Sequence, residues 1–587
     1  MSFRLTTLRG GPVVAGLAAI ALITTWGQPA VNAAPRPSQA RAGTSAVSSH
    51  PYSKARPSTV RLVKVSRPGE SGLKAGQTAR REHVLPRLVP PQRAGAAPRL
   101  AARAPRVEST PLARRSTAEL LANFDGINAI QNKATAGFDL EPPDEGLGAG
   151  NGFVANFVNV TGAIYNTHGG MVQGPFYLNT FFGEAPEAFT SDPRVYFDAN
   201  SGRWFATMIV VDFNADFTAV TGSHVDLAVS DSGNPTGTWH VYQVDTSSPT
   251  HRGCPCLGDY PILGVDGTNV YISTQEFTSD LESYNGAQLY ILPVSELAAG
   301  KASVHLATFE NLQAGGSLAF RVQFANQPKA SPAEFAMSTL DPTGAGDNRI
   351  AVWAVTHRDA VARGGMPTLS NRVVRSEGYF VPPPTQTPPG FCSGDLCGAT
   401  GAPTTGLVDS GPDAMYETQY INGQLVGAMA TGLNVAGDSG PRAAIGWVVV
   451  TPHIRHSMVA GSTQVARQGY LASRGLGLLY PHLNMTRNGS MVIAFGLGGP
   501  ETFLSAATAV AAPGHRFRSI RVIESGATTD NGFTGTEAYG GVGRWGDYSN
   551  GQMIPGTNRV WLATQYIPNE GDGNANWGNR IWSLRLR

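Results

Sequence analysis

The chain has 587 residues, of which 41% are hydrophobic and 15% are charged, so it can bury a large core and is neither a disordered nor a coiled-coil protein. Its 70 Gly and 41 Pro favour many short strands and tight turns. The net charge of +2 hides two opposed segments, because residues 34–115 carry 17 Lys or Arg against 3 acids and residues 116–587 carry 25 against 39. We therefore predict an acidic all-β body behind a basic arm, with no nucleic acid partner.

The first segment, residues 1–33, has the pattern of a secretory signal peptide. Two arginines precede an apolar run from Pro12 to Trp26, and the small residues up to Ala33 suit cleavage. The run of about 15 residues is shorter than the roughly 20 that span a bilayer. We predict a secreted protein, with no membrane span after signal cleavage.

The arm, residues 34–115, is rich in Ala, Pro, Arg and Ser without sustained hydrophobic periodicity. Such a composition cannot bury enough apolar surface to offset the entropy lost on ordering. We predict that the arm is disordered and that the body, residues 116–587, folds without it. The basic charge of the arm would hold the protein near an anionic cell envelope, unless the arm is a removed pro-segment or a solvated spacer.

The cysteines form two close pairs in a chain predicted to reach an oxidising compartment: Cys254 with Cys256, and Cys392 with Cys397. Their even number and spacing predict structural disulfides, although the sequence leaves local and cross-linked pairings open. A metal site would need histidine partners at zinc-finger spacing, and we identify none near either pair.

An internal repeat of turn, strand, turn and strand runs through the body. The four clearest copies begin at Asp192, Asp259, Tyr480 and Asp547, and three weaker copies begin at Asp144, Glu334 and Asp413. The starts are roughly 50 to 80 residues apart, which suits a four-stranded antiparallel blade. We predict a β-propeller of seven blades, with six or eight as alternatives. Two β-sandwich domains would explain the strands but not the repeat.

Several motifs within residues 120–587 follow one another in a characteristic order: Pro142-Pro143-Asp144, Gly148-Ala149-Gly150, Asp192-Pro193, Gly202-Arg203-Trp204-Phe205, Gly258-Asp259-Tyr260-Pro261, Arg349-Ile350-Ala351-Val352-Trp353, Tyr480-Pro481, Gly543-Arg544-Trp545-Gly546-Asp547-Tyr548-Ser549 and Asn576-Trp577-Gly578-Asn579-Arg580. In these motifs the chain resembles a family of secreted bacterial proteins with sialidase-like propeller architecture. The resemblance implies a propeller and export, and it implies no particular activity.

A further segment is similar to the Asp-box of sialidase-type propellers. Ser230-Asp231-Ser232-Gly233 leads to Thr238-Trp239, with extra residues before Trp239. Such boxes form turns at the periphery of blades, so this match implies a structural role.

Acidic residues open most of the repeats: Asp144, Asp192, Asp259, Asp413 and Asp547. If each begins the inner strand of its blade, they meet at one mouth of the central channel, where a proton or cation must relieve their repulsion. We predict that Asp144, Asp192, Asp259 and Asp547 bind Ca²⁺. Arg194 and Arg544 would supply counter-charge, and Tyr260 and Tyr548 would stack on a sugar. Alternatively, each aspartate caps its own turn.

Two classes of function fit these features. The first is a monomeric, secreted or cell-envelope-associated propeller that binds glycan or an anionic envelope polymer without catalysis. The second is an exported glycan-active enzyme, a glycoside hydrolase or polysaccharide lyase, with its site at the channel mouth. The second class requires two acids about 5 to 10 Å apart in an open pocket.

Overall fold

The computed structural model describes residues 47–69, 104–114, 118–249, 251, 254–329 and 331–587. All of them belong to one compact unit, residues 44–587. The predicted signal peptide lies outside the described residues. Within those residues, the structure contains no helix that is both long enough and apolar enough to cross a membrane.

The first half of the described chain contains sheet 1, which has four antiparallel strands, and sheets 2 and 3, two four-stranded groups that the N-terminal strand joins into one nine-stranded sheet. Before them come β1 (Lys54–Ser66), β2 (Arg106–Val107), β3 (Glu119–Asn128) and helix α1 (Ala129–Ala136). Sheet 1 is β4 (Gly146–Gly150), β5 (Phe153–Val158), β6 (Thr161–Asn166) and β7 (Met171–Tyr177), followed by α2 (Leu178–Phe182). Sheet 2 is β8 (Phe189–Asp198), β9 (Arg203–Phe213), β10 (Val220–Ser230) and β11 (Trp239–Asp245). Sheet 3 is β12 (Cys256–Val265), β13 (Asn269–Thr278), β14 (Tyr284–Pro293) and β15 (Ser303–Glu310), with α3 (Val294–Ala298) before β15.

Sheets 4 and 5 follow, separated by a long loop. The short hairpin β16 (Gln313–Ala314) and β17 (Ser317–Leu318) leads into sheet 4, which is β18 (Phe320–Phe324), β19 (Glu334–Thr339), β20 (Asp347–Thr356) and β21 (Thr368–Tyr379). The loop holds β22 (Thr385–Gln386), β23 (Phe391–Cys392), β24 (Ala402–Pro403) and β25 (Leu407–Val408). Sheet 5 is β26 (Gln419–Ile421), β27 (Gln424–Val435), β28 (Pro441–Thr451) and β31 (Gln464–Leu471), with the hairpin β29 (Ile454–Arg455) and β30 (Met458–Val459) before β31.

The last two sheets complete the order. Sheet 6 is β32 (Gly477–Met485), β33 (Met491–Gly499), β34 (Thr502–Ala511) and β35 (Ile520–Glu524), and sheet 7 is β36 (Asn550–Met553), β37 (Arg559–Tyr566), β38 (Gly578–Arg585) and the N-terminal β3. Short 3₁₀ helices lie at Arg358–Arg363, Asp395–Cys397, Phe533–Gly535 and Glu537–Tyr539.

The alternating apolar residues in 577–586 predict a C-terminal strand that closes the propeller against N-terminal residues, and the last strand does so. β38 pairs with β3 in antiparallel register, with Phe124 opposite Ile581. Closure of this kind leaves the ring of sheets without a free end. The all-β propeller class is therefore confirmed. The number of blades stays a prediction, because the inner strand of sheet 5 is only 3 residues long and β1 joins sheets 2 and 3 into one.

The hydrophobic core lies between neighbouring sheets. Trp204 packs where sheets 1 and 2 meet, Trp353 where sheets 3 and 4 meet, and Trp582 among sheets 5, 6 and 7. Each of the three is fully buried. Because both faces of each sheet are covered, the strands carry nearly continuous apolar runs in place of strict alternation.

The prediction of a disordered arm is wrong for β1 and β2. β1 pairs with β15 from Lys54 to Arg61 and with β11 from Leu62 to Ser66, so it joins the outer edges of sheets 2 and 3. Most of its side chains are at least partly exposed. Its order therefore comes from backbone hydrogen bonds to two sheet edges, which a composition argument cannot detect.

The repeat matches the strands with one exception. Six copies coincide with the first two strands of a sheet, whereas the copy at Glu334 begins at the second strand of sheet 4. The true start is near Phe320, where no Asp or Tyr signals the turn. The Asp-box-like segment is the turn between β10 and β11, and Trp239 is buried there.

Both disulfides are local. Cys254 bonds to Cys256, and Cys392 bonds to Cys397 in the long loop between sheets 4 and 5. The structure therefore selects the local pairing among those that the sequence leaves open.

Candidate functional site

The chain bends sharply where five of the sheets begin. The residue at each bend has a left-handed backbone: Asp144 (φ 41°), Asp192 (φ 55°), Tyr260 (φ 54°), Arg321 (φ 46°) and Tyr480 (φ 48°). At Asp192, Tyr260, Arg321 and Tyr480, the register between the first and second strands of the sheet also shifts. A bulge of this type turns a side chain in a new direction, and a left-handed non-glycine residue costs about 1 to 2 kcal/mol. Strain of this kind is concentrated at functional sites.

Side chains from these bends meet around two tyrosines. The rings of Tyr260 and Tyr548 are 5.7 Å apart and nearly perpendicular. The guanidinium carbon of Arg194 lies 3.3 Å from the Tyr548 centroid and 4.8 Å from that of Tyr260. Arg321 lies 3.8 Å from the Tyr260 centroid. Two cations therefore share one aromatic ring, at distances suited to cation–π attraction.

Four aspartates border these rings, each held by a specific donor. Asn159 Nδ2 donates to Asp144 at 2.8 Å, and Ser191 Oγ donates to Asp192 at 2.9 Å. Gln275 Nε2 donates to Asp259 at 2.9 Å, and Arg544 Nη2 donates to Asp547 at 3.3 Å. The backbone N–H of Asp547 donates to Asp144, which links the start of sheet 1 to that of sheet 7.

We call this group the channel-mouth cluster: Asp144, Asp192, Asp259, Asp547, Arg194, Arg321, Arg544, Tyr260 and Tyr548. The sequence predicted eight of its nine members. Arg321 was missed because the repeat in sheet 4 was placed one strand late. The only sequence signal for Arg321 is its position. It follows the first residue of β18 at the register shift, the place that Asp192 holds in β8.

The carboxyl groups of the cluster influence one another. Burial raises the pKa of Asp144 well above its usual range, and Asp547 and Asp192 raise it further. Burial, with Asp192 next in effect, raises the pKa of Asp259 to about 8. Crowded, desolvated acids relieve their repulsion by keeping protons. Burial and mutual repulsion therefore favour the protonated forms of Asp144 and Asp259 beside the arginines.

Asp413 does not join this group, and the prediction that it does is wrong. Burial raises its pKa, and its nearest acidic neighbours are Asp341 and then Asp347. Tyr416, three residues later, takes the corresponding place, because its ring centroid lies 5.9 Å from the Arg321 guanidinium and 6.0 Å from the Tyr480 ring. In sheet 5 the segment between the turn and the inner strand has a different length from that in the other sheets. Tyr416 therefore reaches the channel in place of Asp413.

The Ca²⁺ site predicted for the four aspartates stays a prediction. In the part of the chain that the structure describes, two sets of three possible metal ligands have their atoms within 4.8 Å of one another, and neither contains a channel-mouth aspartate. One set is Glu184, His224 and Asp226; the other is His251, Cys254 and Glu276, in which the sulfur of Cys254 is already bonded to Cys256. His251 stands three residues before Cys254, so the statement that no histidine lies near either cysteine pair was wrong.

Arg321 differs from the other arginines of the cluster. Arg194 pairs with Glu417 at 2.7 Å and Arg544 pairs with Asp547 at 3.3 Å. Arg321 is 2% exposed, yet no carboxylate among the described residues forms an ion pair with it. Its Nε and Nη1 have no hydrogen-bond partner, and neither do Nε and Nη2 of Arg194. Buried, unpaired guanidinium donors are costly unless something binds them.

The next layer of the channel is also polar. Glu417 accepts hydrogen bonds from Arg194 at 2.7 Å and from Asn550 Nδ2 at 3.1 Å. His482 Nδ1 lies 3.6 Å from Glu417, and burial lowers the pKa of His482. Glu417 therefore supplies the countercharge of Arg194.

Two long loops, residues 380–418 and 525–549, form the rim of the mouth. They pair with each other through Pro389 with Asp530, Thr404 with Thr536, and Val408 with Gly543. The second loop supplies three members of the cluster, and Asp547 and Arg544 keep 14% and 11% of their side chains exposed. Asp259 is also partly exposed. Solvent therefore reaches the cluster through these three residues.

The other ends of the inner strands surround a separate cavity of about 800 Å³. The turns between the first and second strands line it, and they contribute Asn200, Lys329, Asn422, Arg487 and Gly556.

Comparisons with known proteins give weak similarities. No family model matches the chain, and no curated protein matches it. The chain is similar to a protein of unknown function from Dyadobacter fermentans (14% identity, 68% of this chain and 96% of that one, TM-score 0.30). It is also similar to an exo-β-1,3-galactanase from Clostridium thermocellum (9% identity, 80% and 100% covered, TM-score 0.27) and an α-L-arabinanase from Penicillium chrysogenum (10% identity, 66% and 92% covered, TM-score 0.28). The strand order described above, not these overlaps, defines the fold.

Proposed function

We propose that this protein is a secreted propeller that binds an acidic glycan at its channel mouth. The observation that carries the proposal is Arg321, a buried guanidinium that forms no ion pair within 4.0 Å among the described residues and whose Nε and Nη1 have no hydrogen-bond partner. A carboxylate or sulfate group of a glycan would supply both the charge and the acceptors.

The neighbours of Arg321 suit the same ligand. Tyr260 and Tyr548 are buried, and their rings hold the guanidinium groups of Arg194 and Arg321 in place by cation–π contact. The raised pKa of Asp259 keeps its carboxyl group protonated at neutral pH, so it can donate a hydrogen bond to a hydroxyl or carboxylate oxygen. The positive charge of Arg321, which forms no ion pair among the described residues, favours acidic sugars over neutral ones of similar shape.

Isothermal titration of the protein with uronic acid oligosaccharides, and with neutral oligosaccharides of the same length, tests this proposal. We expect binding of the acidic series and a loss of about 10- to 100-fold in R321Q, since a hydrogen bond to a charged group contributes about 1.5 to 3 kcal/mol. Arg559, which stacks on Trp561 at 4.8 Å, provides the matched control R559Q. Equal affinity for the neutral series, or unchanged binding in a folded R321Q, would refute the proposal.

A second function, glycan hydrolysis, is favoured by one observation. Asp259, with its pKa raised to about 8, can hold the proton that a general acid needs, and Asp192 is its strongest acidic neighbour. Reducing ends released from an acidic polymer by the wild type, and not by D259N, would identify an enzyme. Binding without release would leave the protein as a binding module.

A further inference from the structure

A histidine and two carboxylates outside the channel-mouth cluster meet at the side of sheet 2. His224 and Asp226 are two residues apart on β10, so their side chains leave the same face of the strand. Glu184 follows α2 by two residues. His224 Nε2 lies 3.5 Å from Asp226 Oδ1 and 3.5 Å from Glu184 Oε1. One ligand atom from each residue lies within 4.8 Å of the other two.

These distances suit a shared metal ion better than hydrogen bonds. An N–H···O hydrogen bond spans about 2.7 to 3.2 Å. Two ligands of a tetrahedral Zn²⁺, each about 2.0 to 2.2 Å from the ion, are about 3.3 to 3.5 Å apart. The observed separations of 3.5 Å match the second geometry.

The burial of Asp226 is an independent indication. Its side chain is 0% exposed, and neither of its carboxylate oxygens has a hydrogen-bond partner. His224 Nε2, which faces it, has none either. A desolvated carboxylate without hydrogen bonds is costly, and buried charges of this type are commonly paired or coordinate metals.

We propose that Glu184, His224 and Asp226 form a Zn²⁺ site. Imidazole nitrogen and carboxylate oxygen are ordinary zinc ligands, and three protein ligands leave the fourth position to water. Gln243 Nε2 donates to Glu184 Oε1 at 2.7 Å and so orients this ligand, as outer-shell partners of metal sites do. His224 is 22% exposed and Glu184 13%, so an ion enters from solvent.

The competing explanation is a proton on His224, which would place an imidazolium between the two carboxylates. Zinc titration of chelator-treated, untagged full-length protein separates the two. We expect one Zn²⁺ per chain, with affinity lowered more than about tenfold in D226N and in H224Q, since even outer-shell substitutions cost 10- to 100-fold. Melts without zinc check that each variant folds.

The control variant is E276Q, which alters the other set of possible ligands, and it should bind zinc as the wild type does. The proposal is overturned if the wild type binds no zinc, if folded D226N binds it equally well, or if E276Q alone abolishes binding. Should D226N and H224Q fail to fold, the Co²⁺ spectrum of the wild type decides. Bands of a tetrahedral site without thiolate charge transfer support the proposal; no bands, or charge transfer from a cysteine, refute it.

Discussion

The two ends of the inner strands use the same residue type in opposite ways. At the far end, Asp198 and Asp266 accept the backbone N–H groups of their own turns, for example from Ser201 at 2.9 Å and from Asn269 at 2.8 Å. At the channel mouth, Asp144 and Asp259 accept from Asn159 and Gln275 of other strands, and acidic neighbours raise the pKa of both.

This difference separates aspartates that hold turns from aspartates that form a site. A capping carboxylate accepts the N–H groups of its own turn, and the second oxygen of Asp266 also pairs with Arg358. The mouth instead combines raised pKa values, left-handed backbone and unpaired guanidinium groups, three features that together indicate a binding site. The alternative in which every repeat-opening aspartate is a turn cap therefore describes the far end of the strands and not the mouth.

The largest effect should follow from opening the ring, on which both ends depend. Deleting residues 578–587 removes β38, the strand that joins β37 to β3. It exposes two strand edges and removes the buried Trp582, for which truncation alone costs about 3 to 5 kcal/mol. We expect loss of the cooperative thermal transition by circular dichroism. An unchanged melting temperature would show that the ring does not depend on this strand.

The next largest effect should distinguish the two ends as ligand sites. Lys329 and Arg487 line the separate cavity at the far end of the inner strands, here called the far cavity, and both are exposed. We expect the double variant K329Q/R487Q to bind an acidic oligosaccharide as the wild type does, while R321Q loses about 10- to 100-fold. Loss of binding in the double variant would show that the oligosaccharide binds in the far cavity and not at the channel mouth.

Stability should respond to pH through the mouth. The pKa of Asp259 rises to about 8 in the folded state from an ordinary value of about 3.9, so the folded protein binds more protons than the unfolded chain between these values. The free energy of unfolding therefore falls as pH rises through this window. D259N should remove part of that fall, about 1 kcal/mol after allowance for the partial exposure of Asp259. Urea melts at pH 5 and pH 8 measure it, and parallel curves for the two proteins would contradict the account.

The smallest effect should come from a turn cap at the far end. D198A removes the acceptor of the Asn200 and Ser201 N–H groups and should cost about 1 kcal/mol of unfolding free energy, with ligand binding unchanged. D198N, which keeps one carbonyl acceptor, should recover most of the loss. If D198A weakens glycan binding more than it weakens the fold, the division between the two ends fails.

The sequence was sufficient to predict the sheets, the closing strand and most of the mouth, because each depends on local signals. Asp192-Pro193 and Tyr480-Pro481 mark inner-strand bends directly, and the apolar residues of β38 mark a strand that is mostly buried. β1 could not be predicted, since its order comes from pairing with β11 and β15, which are distant in sequence. Arg321 follows no turn signal, and only its contact with Tyr260 reveals its role.

The most direct test is a crystal structure of the protein with a bound uronic acid oligosaccharide. The account predicts a glycan carboxylate within hydrogen-bond distance of Arg321 Nε or Nη1 at the channel mouth. An oligosaccharide bound only in the far cavity, beside Lys329 and Arg487, would contradict it.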